Sequence, residues 1–103
     1  MVRRAGAADL AALAGLFDAY RQFYGQSPDA ALARRFLGER IARNESVLFL
    51  GALAGEPAGF CQLYPSFCSV EAAPVMVLYD LFVGPAARGR GLAGALMHAA
   101  EAH

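Results

Sequence analysis

A chain of 103 residues makes one domain at most, large enough to bury roughly two thirds of the surface its unfolded form exposes. With 57% hydrophobic and 17% charged residues it has the composition of a filled core, which excludes intrinsic disorder. Nine basic and nine acidic residues cancel, leaving no global field to recruit nucleic acid or an anionic membrane. The longest apolar run, Val47 to Gly55, is too short to span a bilayer, and the opening MVRRAGAADL lacks the apolar core of a secretory signal. Cys61 and Cys68 stand at no metal-ligand spacing. They read as reduced thiols, which implies a cytoplasmic protein without a metal.

Val2–Ala5 forms a short first strand. A helix starts at Leu10, with Asp9 as its N-cap and Leu10, Leu13, Phe17, Tyr20 and Tyr24 on one face, and Gly25 ends it as a C′ glycine. Ser27-Pro28 starts a second helix, Ser as cap and Pro at the first helical position, with Leu32, Phe36 and Ile41 marking its buried side. Asn44-Glu45 breaks to a strand at Val47–Leu53. The turn Ala54-Gly55-Glu56-Pro57 leads to a hairpin partner at Ala58–Tyr64, and Pro65–Pro74 is a loop. Val75–Val83 is almost wholly apolar, with β-branched residues at 75, 77 and 83, the pattern of a central strand covered on both faces. Gly84-Pro85 stops it. From about Gly91, the residues Leu92, Leu96 and Ala99 recur on one face of a last helix. Helices followed by antiparallel strands predict an α+β or mixed α/β fold rather than a doubly wound parallel sheet.

Between the last strand and the last helix lies Arg88-Gly89-Arg90-Gly91. Free N–H groups at a helix start, the positive end of its dipole and two cations together make an anion site. Gly89 and Gly91 let a phosphate approach a backbone that a side chain would block. Gly89 to Gly94 also matches the dinucleotide fingerprint G-x-G-x-x-G, which would make the chain an oxidoreductase module. However, five residues including a proline follow Val83 before the first glycine, and no acidic ribose ligand stands about 20 residues further on. No G-x-x-x-x-G-K-[ST] P-loop exists here. A plain glycine-rich turn carrying two solvated arginines would use the same residues.

Arg88-x-x-Gly91-x-Ala93 after Leu81-Phe82-Val83 resembles the acetyl-coenzyme A motif Q/R-x-x-G-x-G/A of the GNAT-type N-acetyltransferases. The likeness extends through essentially the whole chain, because Arg3/Arg4, Asp9, two helices, a hairpin and YDLFVGPAARGRG fall in family order. It implies the GNAT-type α+β fold and transfer of an acetyl group from acetyl-coenzyme A to a primary amine of a small molecule. The cofactor would lie on Leu81, Phe82 and Val83, whose backbone pairs with the pantetheine arm like an added strand, and on the turn Arg88, Gly89, Arg90, Gly91, Leu92 and Ala93. A backbone N–H near Phe82 or Val83 would stabilise the oxyanion.

Asp80 is the only charged residue between Val75 and Gly84, and simple alternation puts it on the face of Met76, Leu78 and Phe82. A carboxylate buried there without a partner costs several kcal/mol or shifts its pKa upward, which makes it a base candidate if it lies in a cleft. A structural carboxylate capping a loop is the alternative. The resemblance favours a base or amine ligand, since acidic residues on this strand play that part in the family. YDLFV is similar to the strand of polyamine and diamine acetyltransferases, although those carry a second acid where this chain has Tyr79. By the same resemblance Tyr20, Phe23 and Tyr24 line the acceptor pocket, and Tyr64, with Pro65, Ser66 and Phe67, forms its other wall. As a plain helix stripe the three aromatics are more often core residues, and Tyr64 to Phe67 read equally as an ordinary loop. His98 and His103 read as surface, and Cys61 as a small core hydrophobe.

The family pattern continues beyond this point with a further strand, a helix and a closing hairpin that carries the usual general-acid tyrosine. Residues 1–103 therefore read as a domain incomplete at its C-terminus, with no residue assignable as general acid. The unpaired edge of Val75–Val83 predicts self-association or homodimer formation. A non-catalytic acyl-coenzyme A binding or interaction module is the rival from another class.

Overall fold

The computed structural model describes residues 1–103. Alternation along the strand Val47–Leu53 divides the molecule into two faces. Leu48 and Leu50 turn to one side, Val47 and Phe49 to the other, and all four are buried. Four strands and three α-helices follow in order: β1 (Val2–Arg4), α1 (Leu10–Phe23), α2 (Ala30–Ala42), β2 (Val47–Leu53), β3 (Glu56–Cys68), β4 (Ala73–Val83) and α3 (Leu92–Ala102). The strands form one antiparallel sheet in the order β1-β2-β3-β4. The α+β fold is as the sequence predicts.

Helices α1 and α2 cover one face through Leu13, Phe17, Ala33 and Leu37, packed on Leu48, Leu50, Phe60 and Phe82. Helix α3 covers the other through Leu92 and Leu96, packed on Val47, Phe49, Cys61 and Leu63. Each large side chain fully buried in these layers contributes about 1.5–3 kcal/mol. Leu92 reaches the sheet because Gly51 leaves room: a Cβ there would stand 2.8 Å from Leu92 Cδ1. The predicted α3 face is thus the buried one, Cys61 is core, and His98 and His103 are exposed. No helix is long and apolar enough to cross a membrane. Cys61 and Cys68 are free thiols.

Several sequence expectations are corrected. Asp9 does not cap α1 with its side chain. Its carboxylate accepts from the Arg3 guanidinium at 2.6 and 3.0 Å and from the Gly6 N–H at 3.0 Å, closing the turn before the helix. Helix α2 starts at Ala30 rather than at Pro28, capped by Asp29, whose Oδ1 accepts from the Leu32 N–H at 3.0 Å. Its buried residues are Ala33 and Leu37, with Leu32, Phe36 and Ile41 only partly covered. Tyr24 ends α1 as an exposed cap rather than extending its buried face.

The larger correction concerns Pro65–Pro74. It is not a loop: β3 runs on to Cys68 and β4 begins at Ala73, joined by the short turn Ser69–Ala72. Pro65 pairs with Met76 and Pro74 with Phe67, so both prolines sit in a two-stranded ribbon. Within this chain β4 has one unpaired edge, as the sequence predicts, but it is not covered on both faces: Met76, Val77, Leu78 and Tyr79 are exposed along it. Apolar composition announced a strand but not which of its sides would be covered.

Two glycines set the sign of a stability test. A Cβ on Gly15, exposed in α1, meets nothing within 4 Å, whereas one on Gly59 in β3 would stand 2.7 Å from the Phe82 carbonyl oxygen. Gly15→Ala should stabilise by up to about 1 kcal/mol through helix propensity. Gly59→Ala should destabilise by about 1–3 kcal/mol, because β4 must move. Urea midpoints at constant m-value measure both, and equal signs would contradict the packing.

The Arg3 hydrogen bond, then the Gly6 N–H, hold the Asp9 carboxyl down at about 2 against an ordinary 3.8. A depressed carboxyl stabilises the fold above its unfolded pKa and loses that contribution as pH falls through the folded value. Stability should therefore decline from about pH 4 toward pH 2. Acid titration of an Asp9→Asn variant should show a flatter decline over that window.

Candidate active site

The glycine-arginine turn is built by a sequence of backbone commitments. Gly84 N–H donates to Ala58 O at 2.8 Å and ties the end of β4 to β3, and a single 3-10 turn follows at Pro85–Ala87. Gly89 and Gly91 then take φ of +79° and +78°, the left-handed region that costs a side-chain-bearing residue about 1–2 kcal/mol. The first bond of α3 runs from Ala95 N–H to Gly91 O at 3.1 Å. Consecutive N–H groups from Gly89 to Gly94 consequently have no acceptor in the chain. Nothing lies within 4 Å of where a Cβ on Gly89 or Gly91 would stand. The turn is an open concavity lined by donors at the positive end of an eleven-residue helix, chemically a site for an anion.

The two arginines do not converge on it. Arg88 Nε donates to Val83 O at 3.0 Å, and its guanidinium stacks 5.4 Å from the Phe23 ring and 5.8 Å from that of Phe82. Arg90 borders a separate cavity of about 350 Å³ with Glu56 and Pro85. Leu92 offers only its backbone, since its side chain is buried under the sheet.

Beside the turn, the outer edge of β4 is open. Gly84 N–H and the Phe82 carbonyl face β3, so strand alternation turns the polar groups of Leu81 and Val83 outward. With Val83 O taken by Arg88, the Val83 N–H and both backbone groups of Leu81 remain for an extended ligand. Of the two oxyanion donors expected from sequence, Phe82 N–H is committed to β3 and Val83 N–H is free.

A cavity of about 280 Å³ opens against this edge. Tyr20, Phe23 and Tyr24 line it from α1, Leu81, Phe82 and Val83 from β4, and Arg88 and Ala93 from the turn and α3. Phe23 and Tyr24 form an exposed rim, and Tyr20 packs edge-on to Phe60 and Phe82. Tyr64 is not part of the lining. It stacks edge-on against Tyr79 at 5.4 Å, while Pro65, Ser66 and Phe67 continue out along the ribbon, exposed.

A β-bulge immediately precedes Asp80. Gln62 pairs with Asp80 but Leu63 pairs with Leu78, so Tyr79 is an extra residue on β4. Alternation therefore slips by one. Asp80 shares the α1 face with Phe82 and Tyr79, while Leu78 and Met76 border α3, which corrects the single-face expectation. Tyr20 Oη donates to Asp80 Oδ1 at 2.8 Å, and Gln62 Nε2 donates to Oδ2 at 2.9 Å. Gln62 is fully buried, and its Oε1 accepts from Ser46 Oγ at 2.7 Å. Burial first, then the Asp80 bond, pushes the Tyr20 phenol far above its ordinary value and keeps it protonated. Burial and the nearby Asp80 charge push Tyr64 up to about 12, and burial takes the Cys61 thiol up to about 11. A carboxylate with one donor on each oxygen keeps lone pairs for a cationic ligand or a proton. No group of three or more His, Cys, Asp or Glu is arranged to hold a metal.

Sequence reading missed Ser46 and Gln62. The available signal was an amide inside the apolar run Ala58–Tyr64, since a buried amide must find partners.

The sequence pattern of the Acetyltransferase (GNAT) family matches residues 13–103. An uncharacterized N-acetyltransferase of Bacillus subtilis, YhfO, is 45% identical over 100 residues, covering 97% of this chain and 67% of that protein. A solved probable acetyltransferase superposes with a TM-score of 0.91 at 38% identity, covering 99% of this chain and 69% of its own. A predicted acetyltransferase from Clostridium acetobutylicum, solved with acetyl-CoA, shares the fold at 14% identity and a TM-score of 0.76, covering 96% of this chain and 69% of that one. The chain thus spans about two thirds of each, and it belongs to the GNAT family of acetyltransferases.

Proposed function

We propose that this chain binds acetyl-coenzyme A along the β4 edge and the Gly89–Gly94 turn, and that it serves acetyl transfer to a primary amine of a small molecule. The observation that carries the proposal is the run of unaccepted N–H groups from Gly89 to Gly94, ending an open strand edge. The residues fit the cofactor: a pyrophosphate needs several convergent donors and a backbone it can approach closely, and the two left-handed glycines supply both. The Val83 N–H and the outward groups of Leu81 suit an extended arm carrying amides. When bound, acetyl-coenzyme A supplies the activated thioester. The chain's own residues orient it, shield it with the Phe23 and Phe82 rings, and present a carboxylate nearby. Tyr20, Phe23 and Tyr24 face the cavity with aromatic surfaces that favour a cationic acceptor. At about 280 Å³ the cavity is of small-molecule size. Asp80 serves as base or ammonium ligand.

Gly91→Glu places bulk, backbone strain and like charge where phosphate would sit. Calorimetry should detect no coenzyme A binding by a folded Gly91→Glu variant, and unchanged affinity would remove the turn from the site. Asp80→Asn should keep coenzyme A affinity while lowering kcat/KM at least about tenfold, a barrier change of roughly 1.4 kcal/mol. Parallel loss of folding and cofactor binding would instead make Asp80 structural. Turnover with any amine separates this proposal from a non-catalytic acyl-coenzyme A binding module.

A further inference from the structure

Asp80 does not itself line the cavity; the lining group bonded to it is Tyr20. Behind Asp80, the bonds from Ser46 to Gln62 and from Gln62 to Asp80 run in one sense, each donor aimed toward the carboxylate. Ser46 donates to the Gln62 carbonyl and so fixes the amide with its NH2 toward Asp80. Gln62 occupies Oδ2 whether the carboxyl is ionised or protonated, because the carbonyl oxygen of the acid still accepts. The oxygen left to take a proton is Oδ1, the one facing Tyr20.

We infer that Ser46 and Gln62 are positioning residues that reserve Asp80 Oδ1 as the terminus of a proton relay through Tyr20. This rests on the assignment of Asp80 as a base above. In the relay, one proton leaves the acceptor's ammonium nitrogen for Tyr20 Oη as the phenolic proton passes to Asp80 Oδ1. The acceptor becomes a neutral amine, Asp80 a carboxylic acid, and Tyr20 ends as the phenol it began as. Tyr20 stays neutral throughout, consistent with burial and a carboxylate neighbour opposing its ionisation. A cavity with aromatic walls weakens ammonium hydration, which narrows the gap in basicity between amine and carboxylate. The titratable and charged groups around Asp80 are Tyr20 and Tyr24 on α1, Tyr64 on β3 and Tyr79 on β4. Arg40 of α2 lies beyond Tyr64, and Arg88 stacks on Phe82, two residues along β4.

The test reads the Asp80 carboxyl directly, by its carbon-13 shift against pH in the 103-residue chain, with Asp80→Asn to assign the signal. Gln62→Leu removes a donor to the ionised form and fills the same buried space, so the midpoint should rise by about one pH unit. Ser46→Ala releases the amide and should move it in the same direction by less, and serves alone if Gln62→Leu does not fold. Midpoints equal to the parent's in the folded variants would reduce Ser46 and Gln62 to packing and overturn their positioning role. In acetyl transfer, Tyr20→Phe should lower kcat at least about tenfold with the KM for acetyl-coenzyme A unchanged. Parent-like turnover in Tyr20→Phe with an inactive Asp80→Asn would overturn the relay and leave Asp80 as the base. Parent-like turnover in Asp80→Asn would overturn the base assignment itself, whatever the titrations give.

Discussion

The pairing of Asp80 with Gln62 is the constraint on which the site depends. Two residues from Phe82 and opposite Gln62, Asp80 falls on the α1 face, and the bulge before it sends Leu78 and Met76 to the other face, beside Leu63 and Met97. A carboxylate in the α1 layer without partners would meet the full cost of desolvation. On that α1 face Tyr20 and Gln62 each supply a hydrogen bond to Asp80. The bulged residue is left without a ladder partner, and the Tyr79 ring recovers part of that loss against Tyr64.

The two faces of the sheet then do different work. The α3 face is apolar, and its function is to fix the turn in space: Leu92 and Leu96 anchor the first two turns of the helix, so the donors before them are held by a packed element. Gly51 is the position that lets the anchor sit so close. The α1 face carries the polar chain Ser46–Gln62–Asp80–Tyr20 within an otherwise aromatic layer. No buried side-chain nitrogen or oxygen is left unpaired in that layer or elsewhere. A complete polar network specifies one arrangement, whereas a partly satisfied one would be worse than an apolar core.

How much of this was legible in the sequence depended on whether the signal was local. Strand β2, the stop at Gly84-Pro85 and the helix after Gly91 follow from periodicity and turn chemistry, and all three stand. Part of the cavity lining was nameable too, because the aromatics at the end of α1 and the β4 residues follow from family order, whereas Tyr64, expected as the other wall, lies outside it. Cap residues were less so: Asp9 is a good N-cap by type, but Arg3, six residues earlier, takes its carboxylate, and Asp29 does the capping that Ser27 was expected to do. The ribbon through Pro65 and Pro74 was hidden because proline argues against a strand, and only the pairing register shows how both are accommodated. The bulge was least legible of all. It is a relation between two strands, and no pattern within YDLFV reveals which residue the partner will leave unpaired.

A chain whose nine basic and nine acidic residues cancel cannot draw a charged ligand by its overall field. What it has instead is polarity along one short segment. The negative Asp80 stands at one end and the donors from Gly89 onward at the other, with the outward groups of Leu81 and Val83 between. Asp80 to Val83 is three strand steps, about 10 Å. A ligand with an anionic end and an extended amide-bearing arm would meet these features in chain order, and a cationic acceptor would meet the aromatic wall and Tyr20, which is bonded to Asp80, at the opposite end. Because Asp80 is half-buried, its charge is worth more than an equal charge on the open surface, whereas the donors from Gly89 onward stand on an exposed turn. Arg88 fits the same logic: bonded to Val83 O and stacked on Phe23 and Phe82, it joins the α1 rim, the strand edge and the turn, so those three parts hold their spacing through one guanidinium.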